Sequence, residues 1–496
     1  MFQFKKILHP LLFASVFLCS CSQTEDITVN DSKEKKPEDS KVVLRLQSNF
    51  SASTRSAEDS YVYSQGTADE YKVNSARVYF FDNMTKLLAK TAQLSGITFF
   101  GSDGSGNIVY ETDPITIPNG TYDVFVIANT NRQINKDKED QFIASIDSIS
   151  YTQALIEDIS GGIIMSNRAS DNVATEIRKS SSSTDVNVIN ILLERVLARL
   201  DVAKKSEVFE LTDSKGIQYA TIKLDGYHIV NLPKYYYTFR HTAVLTNLVE
   251  PKWDLMTHFG KVADVNGYVI DPYFFKKTLY AAEFTNADKY FEKFAVDYND
   301  PNRVNWSTFN AVSSTPNYKT AYCLENCALQ PAQKNGYSTG VMFRAIMEPY
   351  NNVYHLNNST GKMELITDKT RYPEVIYYFQ QKFYDSAEAL AAAVSSAGGS
   401  ASNTYQARKF EKTDDGYRCY YKYWIRHLDN NNNTLMGVME FAVVRNNLYR
   451  MLVTSVEDLG DGTPEIVPDT PDEGETKLKV VLNVKPWIVR NIDVEL

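Results

Sequence analysis

Histidine and cysteine, the residues that most often carry metal and nucleophilic chemistry, are scarce: 6 His and 5 Cys in 496 residues. Two of the cysteines fall in the first 21 residues, leaving Cys323, Cys327 and Cys419. An odd remainder implies no disulfide framework, although a Cys323–Cys327 or Cys323–Cys419 bridge stays open. His228, His241, His258, His355 and His427 are not spaced with Cys or Glu as metal-ligand pairs. Nucleophile-elbow, P-loop and H-E-x-x-H patterns are all missing. The GSDGSG stretch, Gly101–Gly106, reads as a hairpin loop rather than a phosphate cradle, since no helix follows it. Asp458 to Gly462 lacks the 12-residue ligand pattern of a calcium loop. The chain therefore reads as a non-enzyme that needs no cofactor. Basic runs are also absent, and 52 Lys+Arg against 61 Asp+Glu give a net charge of -9. That excludes nucleic acid as a partner, because no patch can neutralise a phosphate backbone. Beyond residue 18 no apolar run approaches the length that crosses a bilayer as a helix.

Aromatic residues are abundant: 32 Tyr and 25 Phe, accompanied by much Val, Thr and Asn, favour strands. Short strands with turn signals between them suggest two β-sandwich domains, with a few short helices in loops. The first domain is expected over 56–203, with strands at Lys72–Phe81, Gly96–Phe100, Asn107–Tyr110, Gly120–Ala128 and Val186–Val202. The second is expected over 204–476, with strands at Val208–Leu211, Tyr219–Asn231, Tyr417–Leu428, Met436–Val444 and Leu448–Val456. Asp385–Ala397 is the clearest helix, opened by an Asp/Ser cap and closed by Gly398-Gly399. Arg195 and Arg199, set in an apolar strand, read as ends of a sheet edge or ion-pair formers rather than catalytic groups.

The first 20 residues read as an export signal: Lys5 and Lys6 precede the apolar run Ile7–Leu18. Leu18-Cys19-Ser20-Cys21 fits the bacterial lipobox at Cys21, because the small Ser20 precedes it, whereas bulky Leu18 precedes Cys19. Lipid on the Cys21 sulfur would hold the chain at a membrane, each buried CH₂ contributing about 0.8 kcal/mol. The polar, charged residues 22–40 read as a leash. A strand follows at Lys41–Gln47, with Val42, Leu44 and Leu46 on one face. Next comes a polar loop, Ser48–Ser60, in which Arg55 is the one basic residue, followed by Ser56. Small residues around Arg55 make a tip that a trypsin-like protease can enter.

Lys477–Leu496 carries two further alternations. Leu478, Val480, Leu482 and Val484 form one; Ile488, Ile492, Val494 and Leu496 form the next, after Pro486-Trp487. Pro486 cannot donate to a ladder and so marks a bend. The acidic, proline-bearing residues 457–476 read as a loose tether, leaving 477–496 either paired at home or offered to another molecule.

The order of these features resembles the Bacteroidetes FimA/Mfa1-type fimbrillins, major subunits of type V pili. The matching stretches are Ala76–Asp82 (ARVYFFD), Gly120–Thr130 (GTYDVFVIANT), Gly161–Asn167 (GGIIMSN), Glu194–Val202 (ERVLARLDV), Tyr322–Asn326 (YCLEN), Phe441–Tyr449 (FAVVRNNLY) and Pro486–Leu496 (PWIVRNIDVEL). The resemblance implies an adhesive cell-surface fimbria, reached through the outer membrane as a lipoprotein lipidated at Cys21. It implies cleavage between Arg55 and Ser56 by an Arg-specific protease, which frees residues 21–55 with their strand. It also implies donor strands at 477–496, Leu478 to Leu496 including Trp487, that fill the groove vacated in a sister copy. The partners would be further copies of the chain, head to tail, and anchor and tip subunits. The alternatives are an anchor or tip subunit, or a monomeric surface lipoprotein that binds glycan or host protein through aromatic loops such as Tyr235–Tyr237.

Overall fold

The computed structural model describes residues 39–48, 66–103, 107–149, 159, 161–182, 184–244, 267–274, 277, 291–292, 306–329, 332–399, 408–427, 436–437, 440–472 and 477–486. Four sheets dominate this part of the chain. A five-stranded sheet runs Asn187–Leu192, Asp39–Ser48, Ile108–Glu111, Thr98–Ser102, and Ile115–Pro118 also pairs with Asp39–Ser48. It faces a six-stranded sheet centred on Gly120–Ala128 and Ala76–Asp82. Val42, Leu44 and Leu46 from the first meet Val78, Phe80, Val124 and Val126 from the second in one dry core. The opposite face of the second sheet is covered too: Tyr79, Phe81, Phe125 and Ile127 pack around Phe142 and Phe239. Burial on both faces explains the continuous apolar runs in YDVFVIA and ARVYFF, where simple alternation would expose one side.

The second pair of sheets encloses a larger core. A four-stranded sheet runs Lys319–Leu324, Leu197–Lys204, Asn447–Val456, Leu478–Pro486. It packs on a nine-stranded sheet whose long members are Gln218–Val230, Gly340–Pro349 and Gly416–Trp424. Leu200, Val202, Met451 and Val453 meet Ile222, Leu224, Phe343 and Ala345 there. The fold is thus mostly β, two layered sheet pairs with short helices at their margins. From Asp39 onwards the chain forms one compact unit, so the two cores are joined rather than strung apart.

Several sequence expectations shift. The single strand expected over Val186–Val202 is three: Asn187–Leu192 in the first sheet, Glu194–Arg195 in the second and Leu197–Lys204 in the third. The chain therefore changes sandwich at Val196, ahead of the break expected at 203–204. Met436–Val444 is no strand among the described residues; Val443 makes only an isolated bridge with Asn326. Ala387–Ser396 is helical, with the Ser386 hydroxyl accepting from the Ala389 N–H as N-cap.

The acidic stretch after Val456 is not loose. Leu459 and Asp472 are buried, Ile466 nearly so, and Gly336 lies too close to Pro468 for any side chain. Asp461 exchanges backbone bonds with Tyr420 and holds Lys477 and Lys422 at 2.7 and 3.2 Å. Three buried anchors and a bridged backbone fix 457–472 against the nine-stranded sheet, which corrects the expected tether.

Candidate functional site

The first strand, Asp39–Ser48, is an inner strand. It runs parallel to Asn187–Leu192 on one side (Val42↔Asn187 to Gln47↔Leu192). On the other it runs antiparallel to Ile115–Pro118 and then to Ile108–Glu111. Between those two partners Thr112 closes the ladder, its hydroxyl accepting from the Leu44 N–H at 3.1 Å while its N–H donates to the Leu44 carbonyl at 3.1 Å. Val42, Leu44 and Leu46 have no exposed surface. Their burial is worth about 1.5–3 kcal/mol each, on the order of 5–9 kcal/mol together. Arg45 points the other way, bonded to Glu111 at 2.9 Å and set over the Phe100 ring. The alternation in KVVLRLQ thus puts Val42, Leu44 and Leu46 in the core and leaves Lys41, Arg45 and Gln47 partly exposed, with Val43 buried on that second face as well.

Arg55, Ser56 and Cys21 lie outside the described residues, and so does the stretch that carries the first strand towards residue 66. At that point the chain is fastened afresh. Thr67 and Glu70 form a reciprocal capping box on the helix Ala68–Tyr71. The Glu70 carboxylate, fully buried, accepts from Arg199 at 2.9 and 3.1 Å and from the Tyr322 hydroxyl at 2.7 Å. Arg199 also grips Asp201 through two bonds, and Asp201 accepts from Arg450 at 3.2 Å. Arg195 donates to the Glu70 carbonyl at 2.7 Å, and burial lowers its guanidinium to about 10. Both arginines are ion-paired or hydrogen-bonded inside the protein, Arg195 from the edge strand Glu194–Arg195 and Arg199 from an inner strand. Glu70 was missed in the sequence, though Thr67-x-x-Glu70 carries the capping-box spacing that could have marked it.

The last described strand, Leu478–Pro486, pairs antiparallel with Asn447–Val456 and with no other strand among the described residues. Leu478 is buried; Val480, Leu482 and Val484 are half-buried against the larger core, while Val481 faces outward, 43% exposed. The expected alternation holds along this strand, and Pro486 is its final residue. Trp487, Ile488, Ile492, Val494 and Leu496 lie outside the described residues. In this structure, then, 478–486 occupies a home position at an edge of its own sheet.

The remaining candidates are ordinary core. Cys323, Cys327 and Cys419 are all buried free thiols, and burial pushes Cys419 up to about 12. Tyr236 is buried and Tyr235–Tyr237 pairs as a short strand with Ile146–Ser148, so the triple tyrosine is largely interior. Among the described residues no group of three or more His, Cys, Asp or Glu could hold a metal ion, and no helix is long and apolar enough to cross a membrane.

Comparisons with known proteins point one way. Residues 41–195 match the family model described as major fimbrial subunit protein (FimA). Residues 415–493 match that of the C-terminal region of major fimbrial subunit protein type IV, fimbrillin. The first stretch contains the inner strand and all its neighbours; the second contains the edge strand. Among solved structures, a fimbrilin (fimA) from Porphyromonas gingivalis W83 is 14% identical, covering 91% of this chain and 99% of its own, with a TM-score of 0.43. The tip fimbrial protein Mfa3 from Porphyromonas gingivalis is 13% identical, over 91% of this chain and 100% of its own, at 0.37. The fimbrial anchor protein Mfa2 of that organism covers 42% of this chain and 69% of its own, at 14% identity and 0.22. No curated protein matches the sequence.

Proposed function

Because this chain belongs to the fimbrillin family of fimbrial subunits, whose setting is the cell-surface fimbria, we propose that it is a stalk subunit that polymerises by strand exchange. It travels as a lipoprotein held through Cys21, and an Arg-specific protease cuts between Arg55 and Ser56. The fragment that carries Asp39–Ser48 then leaves, and a C-terminal segment from the next copy takes its place. One observation carries this reading: the strand before Arg55 is an inner strand with three fully buried side chains, while the chain after Arg55 is moored independently through Glu70. A cut between them severs the only covalent tie without unfolding the remainder.

The vacated site is strongly attractive. Two ladders, one on each flank, lose their partner at once, and unpaired N–H and C=O groups beside an apolar trough favour addition of a foreign strand. Leu478 to Leu496 supplies the matching alternation. Four to six inward apolar side chains give on the order of 10 kcal/mol before association costs. A head-to-tail contact of this kind does not close on itself, so it yields a filament. Anchor and tip subunits would then cap its two ends, and adhesion would follow from the assembled fibre.

Arg-specific proteolysis of the purified precursor tests this directly. The expected result is a ladder of species on SDS gels of unboiled samples, and loss of that ladder when Trp487–Leu496 is deleted. Cleavage after Arg55 without polymers, or polymers that survive the deletion, would reject the stalk reading. A terminal subunit is the second reading, favoured by the home pairing of Leu478–Pro486 with Asn447–Val456. Such a subunit would accept a strand but donate none.

A further inference from the structure

We propose that Lys277 and Asn326 become joined by a spontaneous amide bond, with Asp271 as the proton shuttle. The Lys277 ammonium donates to Asp271 Oδ2 at 2.7 Å and to Asn326 Oδ1 at 2.7 Å. Lys277 and Asn326 are each 1% exposed and Asp271 4%. The acceptor amide is held at both ends, because Asn326 Nδ2 donates to the Tyr337 carbonyl at 2.7 Å and to Thr339 Oγ1 at 3.0 Å. Its backbone is fixed as well, exchanging 2.9 Å bonds with Val443 in both directions. Asp271 is aimed by the Cys327 N–H on Oδ2 at 2.7 Å and the Tyr273 N–H on Oδ1 at 2.8 Å. Buried Phe274, Tyr337 and Cys327 lie nearby in the chain, and Glu325 is ion-paired with Arg445 at 2.8 Å.

A lysine, a carboxamide and a carboxylate in hydrogen-bond contact, shut away from water, have one condensation open to them. The proton passes from Lys277 Nζ to Asp271 Oδ2 along their hydrogen bond, giving the neutral amine that can attack. The amine lone pair attacks Asn326 Cγ, which lies one bond beyond the oxygen it already touches. The tetrahedral adduct collapses with the carbonyl restored: Asp271 returns its proton to Nδ2, the C–Nδ2 bond breaks, and the departing ammonia takes the remaining extra proton from the attacking nitrogen. Lysine ammonium plus carboxamide becomes secondary amide plus ammonium ion; Asp271 ends as the carboxylate it began as, and no oxidant or reductant is used. Fixed proximity supplies the effective concentration, and exclusion of water removes the competing hydrolysis.

The bond closes a loop between positions 49 apart. It pins the segment that follows Gly267–Ile270 onto the end of Lys319–Leu324, the outer member of the sheet that carries the C-terminal strand at its opposite edge. Digestion of the full chain and mass spectrometry of the peptides test it. The expected product is one branched species containing Lys277 and Asn326, lighter by one ammonia than its two peptides together. Lys277→Arg keeps the positive charge but removes the nucleophile, and Asp271→Asn keeps the shape but removes the proton acceptor. Each should restore two separate peptides of full mass, with native-like circular dichroism showing that the fold persists. Unmodified Lys277 and Asn326 in separate peptides of the parent chain would overturn the proposal. So would a link from Lys277 to Asp271 with loss of water, or a branched peptide that persists in the Asp271→Asn chain.

Discussion

The first described strand and the last share one apolar alternation but occupy opposite situations. Asp39–Ser48 has neighbours on both flanks and three side chains with no exposed surface. Leu478–Pro486 has one strand neighbour and, beyond Leu478, only half-buried side chains on its inner face. Identical patterning therefore yields unequal holding energy, because burial needs a second layer and a ladder needs two flanks. Removal of the inner strand would leave a deep vacancy, whereas the edge strand would leave home with comparatively little lost. That inequality is what strand exchange requires of an acceptor and a donor.

The comparison can be broken by making the same substitution in both strands. Leu44→Ala should cost about 3–5 kcal/mol of unfolding free energy in the uncleaved chain, as for a fully buried leucine. Leu482→Ala should cost about 1 kcal/mol, since that side chain is only partly buried, at a sheet edge. Urea denaturation of both variants measures the gap, and equal losses would refute the proposed asymmetry.

Glu70→Ala ranks next. It removes the carboxylate but leaves Arg199 and Tyr322 buried, at a cost of about 3 kcal/mol. Limited proteolysis should then enter beyond residue 66, and resistance equal to that of the parent would mean the mooring is dispensable.

A different effect, one that depends on pH, concerns the docked stretch beside the last strand. Burial pushes the Asp472 carboxyl up to about 8, against the pull of Ser338 and Arg426. One of its oxygens, Oδ1, has no hydrogen-bond partner in the structure. In the unfolded chain the same group titrates near 3.9. The folded form therefore holds a proton that the unfolded form has lost across the window from about 4 to about 8. Its contribution is complete below that window and is lost as pH rises through the folded value. Asp472→Asn should match the parent in thermal stability near pH 4 and exceed it near pH 8, and parallel pH profiles would contradict this. Least affected should be Val481→Lys on the outward face, within about 0.5 kcal/mol of the parent by the same urea titration.

Much of this architecture was legible in the residues because period-two patterning survives wherever one face is wet. Val42, Leu44, Leu46 and Leu478 through Val484 announce themselves in that way. The Ser386 cap and the turn after Ala128, where Asn129 adopts a φ of 59°, are equally local signals. The docking of 457–472 was not legible. Its anchors Leu459, Ile466 and Asp472 follow no period, and their partners lie far away in sequence, as with Gly336 against Pro468. The change of sandwich at Val196 hid for a related reason: every residue from Leu193 to Lys204 is buried, the charged Glu194, Arg195 and Arg199 included, so no exposed break marks the crossing. The Lys277, Asp271 and Asn326 cluster likewise depends on long-range contacts that no spacing rule encodes. Of the candidate site, the strands were readable, but their rank as inner and edge was a property of the sheets alone.

One further consequence follows from the mixed pairing of Asp39–Ser48, parallel to Asn187–Leu192 and antiparallel to Ile115–Pro118 and Ile108–Glu111. A parallel ladder has slanted, evenly spaced bonds; an antiparallel one has perpendicular bonds in alternating narrow and wide pairs. A strand entering backwards would exchange the two ladder types and meet each wall with the wrong spacing. The groove therefore reads direction as well as shape. A fibre joined through it would have every subunit pointing the same way, and hence a head and a foot that differ chemically.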